Sequence, residues 1–224
     1  MMKPILFTLS VLLALCYHSA MAQVALEVKG QPFNDASYAD IQGNPYLENE
    51  WLTGKIFLEN KKSIEAALKF DIYSNRVLFQ KDGQVMELKN NISGFTLNNV
   101  DREVSDISQP VFVNGYPPIG TQTANSIYQL IADGNVKLLK FYKKTISEDR
   151  EYDSSLITRE YRSVRFYYIY KNNTLQQIQP SKKSLLKLFQ DHEKEVEDYF
   201  KANTIDFKSD VDLQKLFGWY NSLT

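Results

Sequence analysis

Apolar and polar residues alternate with a period of two through the middle of the chain. Leu68, Phe70 and Ile72, for example, are separated by Lys69 and Asp71, which is typical of a strand with one buried face. Similar short segments recur from residue 54 to residue 179. The pattern predicts six to nine antiparallel strands in this region, arranged as a strongly bent meander or an open barrel.

Short turn sequences divide this region into hairpins. Asp82-Gly83, Asp133-Gly134 and Asn172-Asn173 each stand between two strand-like segments, and Ser74-Asn75 predicts a further turn. Asp, Asn and Gly tolerate the positive φ angles that two-residue hairpin turns require. The segments FQKDGQVMELK and LIADGNVKLLK look alike, and we interpret the likeness as shared turn chemistry because the hairpins are not regularly spaced.

Three segments do not fit the strand pattern. Residues 110–125 contain three prolines and two glycines and are predicted to form a loop. Residues 147–160 are polar and charged, and they form either a long exposed loop or an extension of two edge strands. The segment 23–53 is expected to be irregular, with one weak strand near residues 24–28 and a loop that lies over the sheet.

Beyond Pro180 the apolar residues take the spacing of helices. Three short helices are predicted from the stripes Leu185, Leu188 and Phe189; Val196, Tyr199 and Phe200; and Leu213, Leu216, Phe217 and Tyr220. Ser181 is the expected N-cap of the first helix and Asp191 of the second, and Ser209 with Asp212 resembles a capping box. Such short helices are marginal alone, so we expect them to dock on the sheet.

Together these patterns predict an α+β protein. An antiparallel β meander or open barrel-like sheet over residues 54–179 would carry a C-terminal subdomain of three short helices, residues 180–224, within the same folding unit. The irregular segment 23–53 would precede the sheet.

The first 22 residues have the features of a cleaved signal peptide. Lys3 provides a positive charge, residues 5–17 form an apolar run, and Ala20-Met21-Ala22 is a suitable cleavage site. The run is too short to span a bilayer, which takes about 20 apolar residues. Cys16 suggests a lipoprotein box, but Leu15 stands where such a box needs a small residue. We therefore expect export with cleavage after Ala22, to the periplasm, the outer membrane or the medium, and no integral membrane protein.

Composition restricts the chemistry of the mature chain. Cleavage removes Cys16 and His18, so that no cysteine and one histidine, His192, remain. Cysteine nucleophiles, disulfides, haem ligation and zinc sites of Cys and His are thereby excluded. Phosphate-binding and calcium-binding loop motifs are also missing from the sequence. We expect no cofactor and no metal, and we interpret His192 as a helix-surface residue.

Charge does not favour nucleic acid as a partner. The chain has 26 basic and 27 acidic residues, which provides no general attraction for a polyanion. Basic residues are nevertheless concentrated between residues 137 and 165, where aromatic residues are interleaved with them. A binding surface for an anionic glycan, a lipid head group or a partner protein is predicted there, and it comprises Lys140, Tyr142, Lys144, Arg162, Arg165 and Tyr167, with Tyr116 from the loop. Alternatively, the aromatic residues fill one sheet face while Lys and Arg solvate the other.

Two functions follow as hypotheses. The first is a non-enzymatic exported module that binds an envelope protein, glycan or lipid. The second is a hydrolase of envelope glycans or peptides, which would need two carboxylates roughly 5–10 Å apart in a cleft. A shared pocket with two convergent carboxylates and a perturbed pKa would favour the enzyme.

Four segments carry a resemblance to a known group of proteins. They are GNPYLENEW at residues 43–51, NGYPPIG at 114–120, a YQ-x-x-x-DG-x-V-x-LLK hairpin at 128–140, and YNSL at 220–223. Together they resemble a group of functionally uncharacterised secreted proteins of Bacteroidota. The resemblance implies export and assigns no role to any residue.

Overall fold

The computed structural model describes residues 29–34, 38, 40–89, 92–150 and 157–223. The expected signal peptide and the strand expected near residues 24–28 lie outside this part of the chain.

The described residues form one open antiparallel sheet. Its strands are β1 (Gly30–Pro32), β2 (Leu52–Leu58), β3 (Ser63–Asp71), β4 (Arg76–Lys81), β5 (Gln84–Leu88), β6 (Ile92–Thr96), β7 (Val111–Val113), β8 (Tyr128–Ala132), β9 (Lys137–Arg150), β10 (Ile157–Lys171) and β11 (Thr174–Ile178). Their order in the sheet is β1-β5-β4-β3-β2-β6-β7-β8-β9-β10-β11. The predicted open antiparallel sheet is confirmed, with more strands than the six to nine expected.

Three helices follow the sheet, as predicted. They are α1 (Lys182–Leu188), α2 (Glu193–Ala202) and α3 (Asp210–Asn221), with a 3₁₀ turn at Gln190–His192 before α2. The Ser181 side chain caps α1 and accepts a hydrogen bond from the Ser184 N–H, and the Ser209 side chain caps α3. The cap predicted for α2 is wrong, because His192 is its N-cap residue and makes no side-chain capping bond. Asp191 instead accepts the hydroxyl of Tyr220 at 2.8 Å.

The turn between β4 and β5 differs from the turn between β8 and β9, although their sequences look alike. Asp82-Gly83 is a two-residue turn in which both residues have positive φ, 51° and 75°. After Asp133-Gly134 the connection is longer, because Asn221 of α3 docks against it and accepts the Val136 N–H at 2.9 Å. A Cβ at Gly134 would lie 2.5 Å from the Asn221 side chain. Glycine is therefore needed at this position for the close approach of the helix.

Two segments that the sequence analysis did not predict as definite strands contain strand residues. The predicted loop 110–125 contains β7, a three-residue strand between β6 and β8, so the prediction of a continuous loop is wrong there. Within residues 147–160, β9 extends to Arg150 and β10 begins at Ile157. The second of the two alternatives, an extension of strands, therefore holds for the described residues of this segment.

The irregular N-terminal segment connects distant parts of the sheet. The Gln42 N–H donates to the Arg159 carbonyl at 2.8 Å, and the Gln42 carbonyl accepts the Tyr161 N–H at 3.1 Å. A few residues later, the Leu47 N–H donates to the Phe70 carbonyl of β3 at 2.9 Å. This segment therefore bridges β3 and β10 from above, as expected of a loop that lies over the sheet.

The sheet curves so that β3 and β9, separated by four strands, contribute to one apolar cluster. Phe70 packs on Phe112, with ring centroids 5.5 Å apart, and Phe112 packs on Tyr142. We call this cluster the strand cluster. A second, the helix cluster, joins α1, α2 and α3 to residues such as Leu138 and Ile169. A third lies on the opposite, outer face around Tyr128.

In the described part of the chain, no helix combines the length and the apolar character that a bilayer span requires.

We expect Leu216→Ala to lower the free energy of unfolding by about 2–5 kcal/mol. Leu216 is fully buried in the helix cluster, and truncation would leave a cavity between α3 and the sheet. Gln214→Ala, at an exposed position of the same helix, is the matched control and should change stability little. Urea unfolding of the three proteins measures the difference. Equal stability of all three would mean that α3 does not depend on its contact with the sheet.

Candidate functional site

The pairing of β9 with β10 places five of the seven predicted binding residues on one face. Tyr142 lies opposite Arg165, Lys140 opposite Tyr167, and Lys144 opposite Ser163. Because side chains alternate between faces along a strand, all of these share the inner face that also carries the strand and helix clusters. Arg162 lies on the outer face.

Three of these five are interior residues and contribute little to an exposed surface. Lys140 is 1% exposed, Tyr142 7% and Tyr167 8%. This corrects the prediction of one continuous basic and aromatic surface. α3 and the loop before β7 cover this part of the inner face through Asp210 and Val104.

Lys140 is neutralised by a carboxylate from α3. Its Nζ lies 2.7 Å from Asp210 Oδ2 and donates a second hydrogen bond to the Val104 carbonyl at 3.0 Å. The other oxygen of Asp210 accepts the Tyr167 hydroxyl at 2.9 Å. Asp210 is the first residue of α3, where the helix dipole also favours a negative charge.

Neighbouring polar groups complete a network around this ion pair. The Tyr142 hydroxyl donates to Gln129 Oε1 at 2.6 Å and also lies within hydrogen-bonding distance, 2.9 Å, of the Val104 carbonyl. Gln129 Nε2 donates to Ser105 Oγ at 2.8 Å, and this hydroxyl lies 3.5 Å from Asp210 Oδ2. Each buried polar group of the network thus has a partner, as a buried ion pair requires.

Burial, and secondly the charges of the network, shift the pKa values of Lys140, Tyr142 and Tyr167. Burial lowers the pKa of Lys140, while Asp210 opposes the shift. Burial raises the pKa values of Tyr142 and Tyr167, and the negative charge of Asp210 adds to both shifts. The arrangement therefore holds both tyrosines protonated, as hydrogen-bond donors.

An open groove begins where this network ends. Its volume is about 450 Å³, within the range of small-ligand sites. It is lined by Leu47, Ile72, Glu103, Val104, Tyr142, Ser163, Val164 and Arg165. We call it the Arg165 groove. Its walls come from the N-terminal segment, the end of β3, the loop before β7 and the middle of β9 and β10.

Arg165 supplies the positive charge of this groove. Its side chain is exposed, and it forms no ion pair with any residue that the structure describes. Arg162, three residues earlier on the same strand, is paired with Glu160 at 2.9 Å. Arg165 is therefore available to an anion from solution, whereas Arg162 already has a partner.

The remaining predicted residues lie at different depths. Lys144 is half-buried on the same face as Arg165, and burial lowers its pKa. Tyr116 lies on the outer face, where its ring packs edge-on against Tyr128 and Tyr170. Burial raises the pKa of Tyr116 to about 12. Tyr116 is thus a packing residue of the third apolar cluster, around Tyr128, on the face opposite to Arg165.

A second pocket, of about 420 Å³, contains two carboxylates, Glu59 and Glu87. Glu87 forms ion pairs with Arg76 at 3.7 Å and with Lys89, and it accepts a hydrogen bond from Gln31. A carboxylate engaged with two cations is poorly suited to act as a general acid. The carboxyl groups with shifted pKa values, Asp133, Asp191 and Asp198, shift downwards and lie elsewhere.

Across the described ranges, no cluster of three or more His, Cys, Asp or Glu side chains could hold a metal ion. The expected absence of a metal and a cofactor stays a prediction.

Sequence reasoning missed Asp210, Gln129 and Ser105, the partners of the buried lysine and tyrosine. One signal was present in the sequence, because Gln129 and Lys140 interrupt runs of apolar residues in β8 and β9. When a polar side chain at such a position is buried, it usually has a hydrogen-bond or ion-pair partner that is buried with it.

Comparison with known protein families, with curated proteins and with solved structures finds no match for this chain.

Replacing Lys140 by Met should destabilise the protein by about 3–5 kcal/mol, because the buried Asp210 carboxyl group would lose its ion-pair partner. Adding Asp210→Asn should recover much of this loss, since the amide oxygen can still accept the Tyr167 hydroxyl. Lys144→Met, on the same strand and face, serves as the control. Urea unfolding measures all four proteins, and a double variant no more stable than the single one would contradict the assignment of the ion pair.

Because the pKa of Tyr167 is raised in the folded protein, the free energy of unfolding is expected to change with pH in the alkaline range. The folded state keeps this proton above the usual tyrosine pKa of about 10, so stability falls as the pH rises beyond that value. In Tyr167→Phe the fall should be shallower by up to about 1.4 kcal/mol per pH unit. At pH 7 the variant should lose only its hydrogen bond, about 1–3 kcal/mol. Urea unfolding across the pH series measures both effects, and identical slopes would refute the buried donor role of Tyr167.

Proposed function

We propose that the mature protein is a non-enzymatic exported module that binds an anionic ligand in the Arg165 groove. The observation that carries the proposal is an exposed guanidinium, unpaired within the described structure, beside apolar walls. Arginine binds carboxylates and phosphates through two parallel hydrogen bonds. The ligand would place such a group on Arg165 and an apolar or sugar-ring surface against Leu47 and Ile72.

Rigid support around the groove favours binding over a merely solvated surface. Tyr142 lines the groove with its ring while its hydroxyl is engaged in the buried network, so the floor is fixed before a ligand arrives. A preorganised site loses less conformational entropy on binding. Glu103 is the acidic residue among those that line the groove, and it would disfavour ligands with several negative charges.

Export, supported by the features of the first 22 residues, makes envelope glycans and lipid head groups the relevant sources of such anions. The hydrolase alternative lacks comparable support, because Glu87 in the two-carboxylate pocket is occupied by Arg76 and Lys89. A binding module also agrees with the composition of the mature chain, which would have no cysteine and only one histidine for catalysis.

Binding of defined anions to matched arginine variants tests this function. The mature protein would be titrated with a uronic acid oligosaccharide and with phosphatidylglycerol vesicles, each against a neutral counterpart. Arg165→Ala should weaken binding of the preferred anion by about tenfold, the loss of one charged hydrogen-bonded contact. Arg162→Ala removes a charge from the same strand on the opposite face, and it should leave the affinity nearly unchanged.

The two arms distinguish the source of the anion, since the oligosaccharide carries carboxylates and the vesicle carries phosphates. Equal losses in Arg165→Ala and Arg162→Ala would show a diffuse electrostatic attraction and would overturn the assignment to the groove. Binding that survives both substitutions would place the site elsewhere.

A further inference from the structure

We infer that the outer edge of β11 is a docking site for an acidic, extended peptide segment, which pairs with it as an additional strand. The edge of β11 is a different element from the Arg165 groove and its docking does not depend on the proposed function, although Arg165 lines both the groove and one cavity beside the edge. It stands on the hydrogen-bonding geometry of β11, on the cavities beside it and on the charge around them.

The backbone of β11 has an unpaired side. Among the strands that the structure describes, β11 lies at the end of the sheet and pairs with β10 alone. Asn172 and Asn173 form a two-residue turn with positive φ angles, so Lys171 and Thr174 are a hydrogen-bonded pair, and such pairs alternate along the ladder. The N–H and C=O groups of Leu175 and Gln177 therefore point away from β10. No described residue hydrogen-bonds to them.

Two cavities flank this edge. The first lies between β11 and α1, has a volume of about 490 Å³, and is lined in part by Gln177, Lys183 and Lys187. The second, about 330 Å³, lies between β11 and the segment before α3 and is lined in part by Gln177, Lys208 and Arg165. Gln177 thus lies between two spaces that could accept the side chains of an added strand, which alternate between its two faces.

The charge around the edge selects the partner. Among the described residues that line the two cavities, there are four basic residues and none that is acidic. Lys183 and Lys187 are exposed, lie one turn apart on α1, and have no ion-pair partner in the described structure. Carboxylates on an incoming strand would therefore meet unpaired cations on both sides.

A second copy of this chain fits the same edge poorly. Two β11 strands paired antiparallel about a twofold axis would bring their α1 helices together on one face of the joined sheet. The α1 sequence KKSLLKL contains three lysines and no acidic residue, so the two helices would repel. The lysines beside the edge thus disfavour self-association and favour an acidic partner.

The experiment uses the mature chain and two labelled peptides of equal length and β propensity, VEVEVEV and VKVKVKV, with both ends blocked. Fluorescence anisotropy should show about tenfold tighter binding of the glutamate peptide than of the lysine peptide. Lys183→Glu combined with Lys187→Glu should reverse this preference. The uronate and phosphate ligands of the Arg165 groove should bind this double variant as before, which separates a failure of this inference from a failure of the proposed function.

A substitution in the strand itself tests the backbone contact. Gln177→Pro removes an outward N–H and leaves the ladder to β10 intact, so it should abolish binding of the glutamate peptide. Gln177→Ala keeps the N–H and is the matched control, and a thermal melt verifies that both variants fold. Binding of the peptide to Gln177→Pro with unchanged affinity would overturn the inference. A dimer of the mature chain that dissociates in Gln177→Pro would equally overturn it, in favour of a second copy.

Discussion

The buried ion pair between Lys140 and Asp210 is the constraint on which the rest of the inner face depends. On β9, Leu138 belongs to the helix cluster, Tyr142 to the strand cluster, and Lys140 stands between them. A charge at that position is tolerable only if a carboxylate reaches it, and the carboxylate comes from the start of α3. The position of the helices on the sheet is therefore specified by electrostatics as well as by apolar contact.

A hydrophobic pair of similar volume could have filled the same space, and buried ion pairs often contribute little net stability compared with such pairs. What the polar network adds is a single allowed register. If α3 slid by one turn along β8 and β9, the Tyr167 hydroxyl would lose its acceptor and Lys140 would lose its counter-charge, keeping only the Val104 carbonyl. We take this to be the reason that Tyr142 is held firmly enough to form the floor of the Arg165 groove.

Local features of the fold could be predicted from the sequence, and features that depend on distant contacts could not. The stripe Leu213, Leu216 and Tyr220 specifies the buried face of α3 through neighbours in the same helix. The binding surface predicted between residues 137 and 165 mixed two faces, because Arg162 lies on the face opposite to Tyr142 and Arg165. How deeply a residue lies on the inner face depends on what covers it, and the covering segments are far away in the sequence. The misassigned cap at Asp191 has the same origin, since its carboxylate is used by Tyr220, 29 residues later.

The contact between Asn221 and the turn after β8 has a consequence for the order in which the chain can fold. Asn221 lies 85 residues from its partner Val136. Asp210 lies 70 residues from Lys140, and it lies 105 residues from Ser105. Closing such long loops costs entropy before any contact compensates for it, and domains dominated by distant contacts fold slowly. During synthesis, β8, β9 and β10 emerge well before α3, with Lys140 lacking its counter-charge. The inner face around Lys140 thus cannot reach its final packing until α3 has been made.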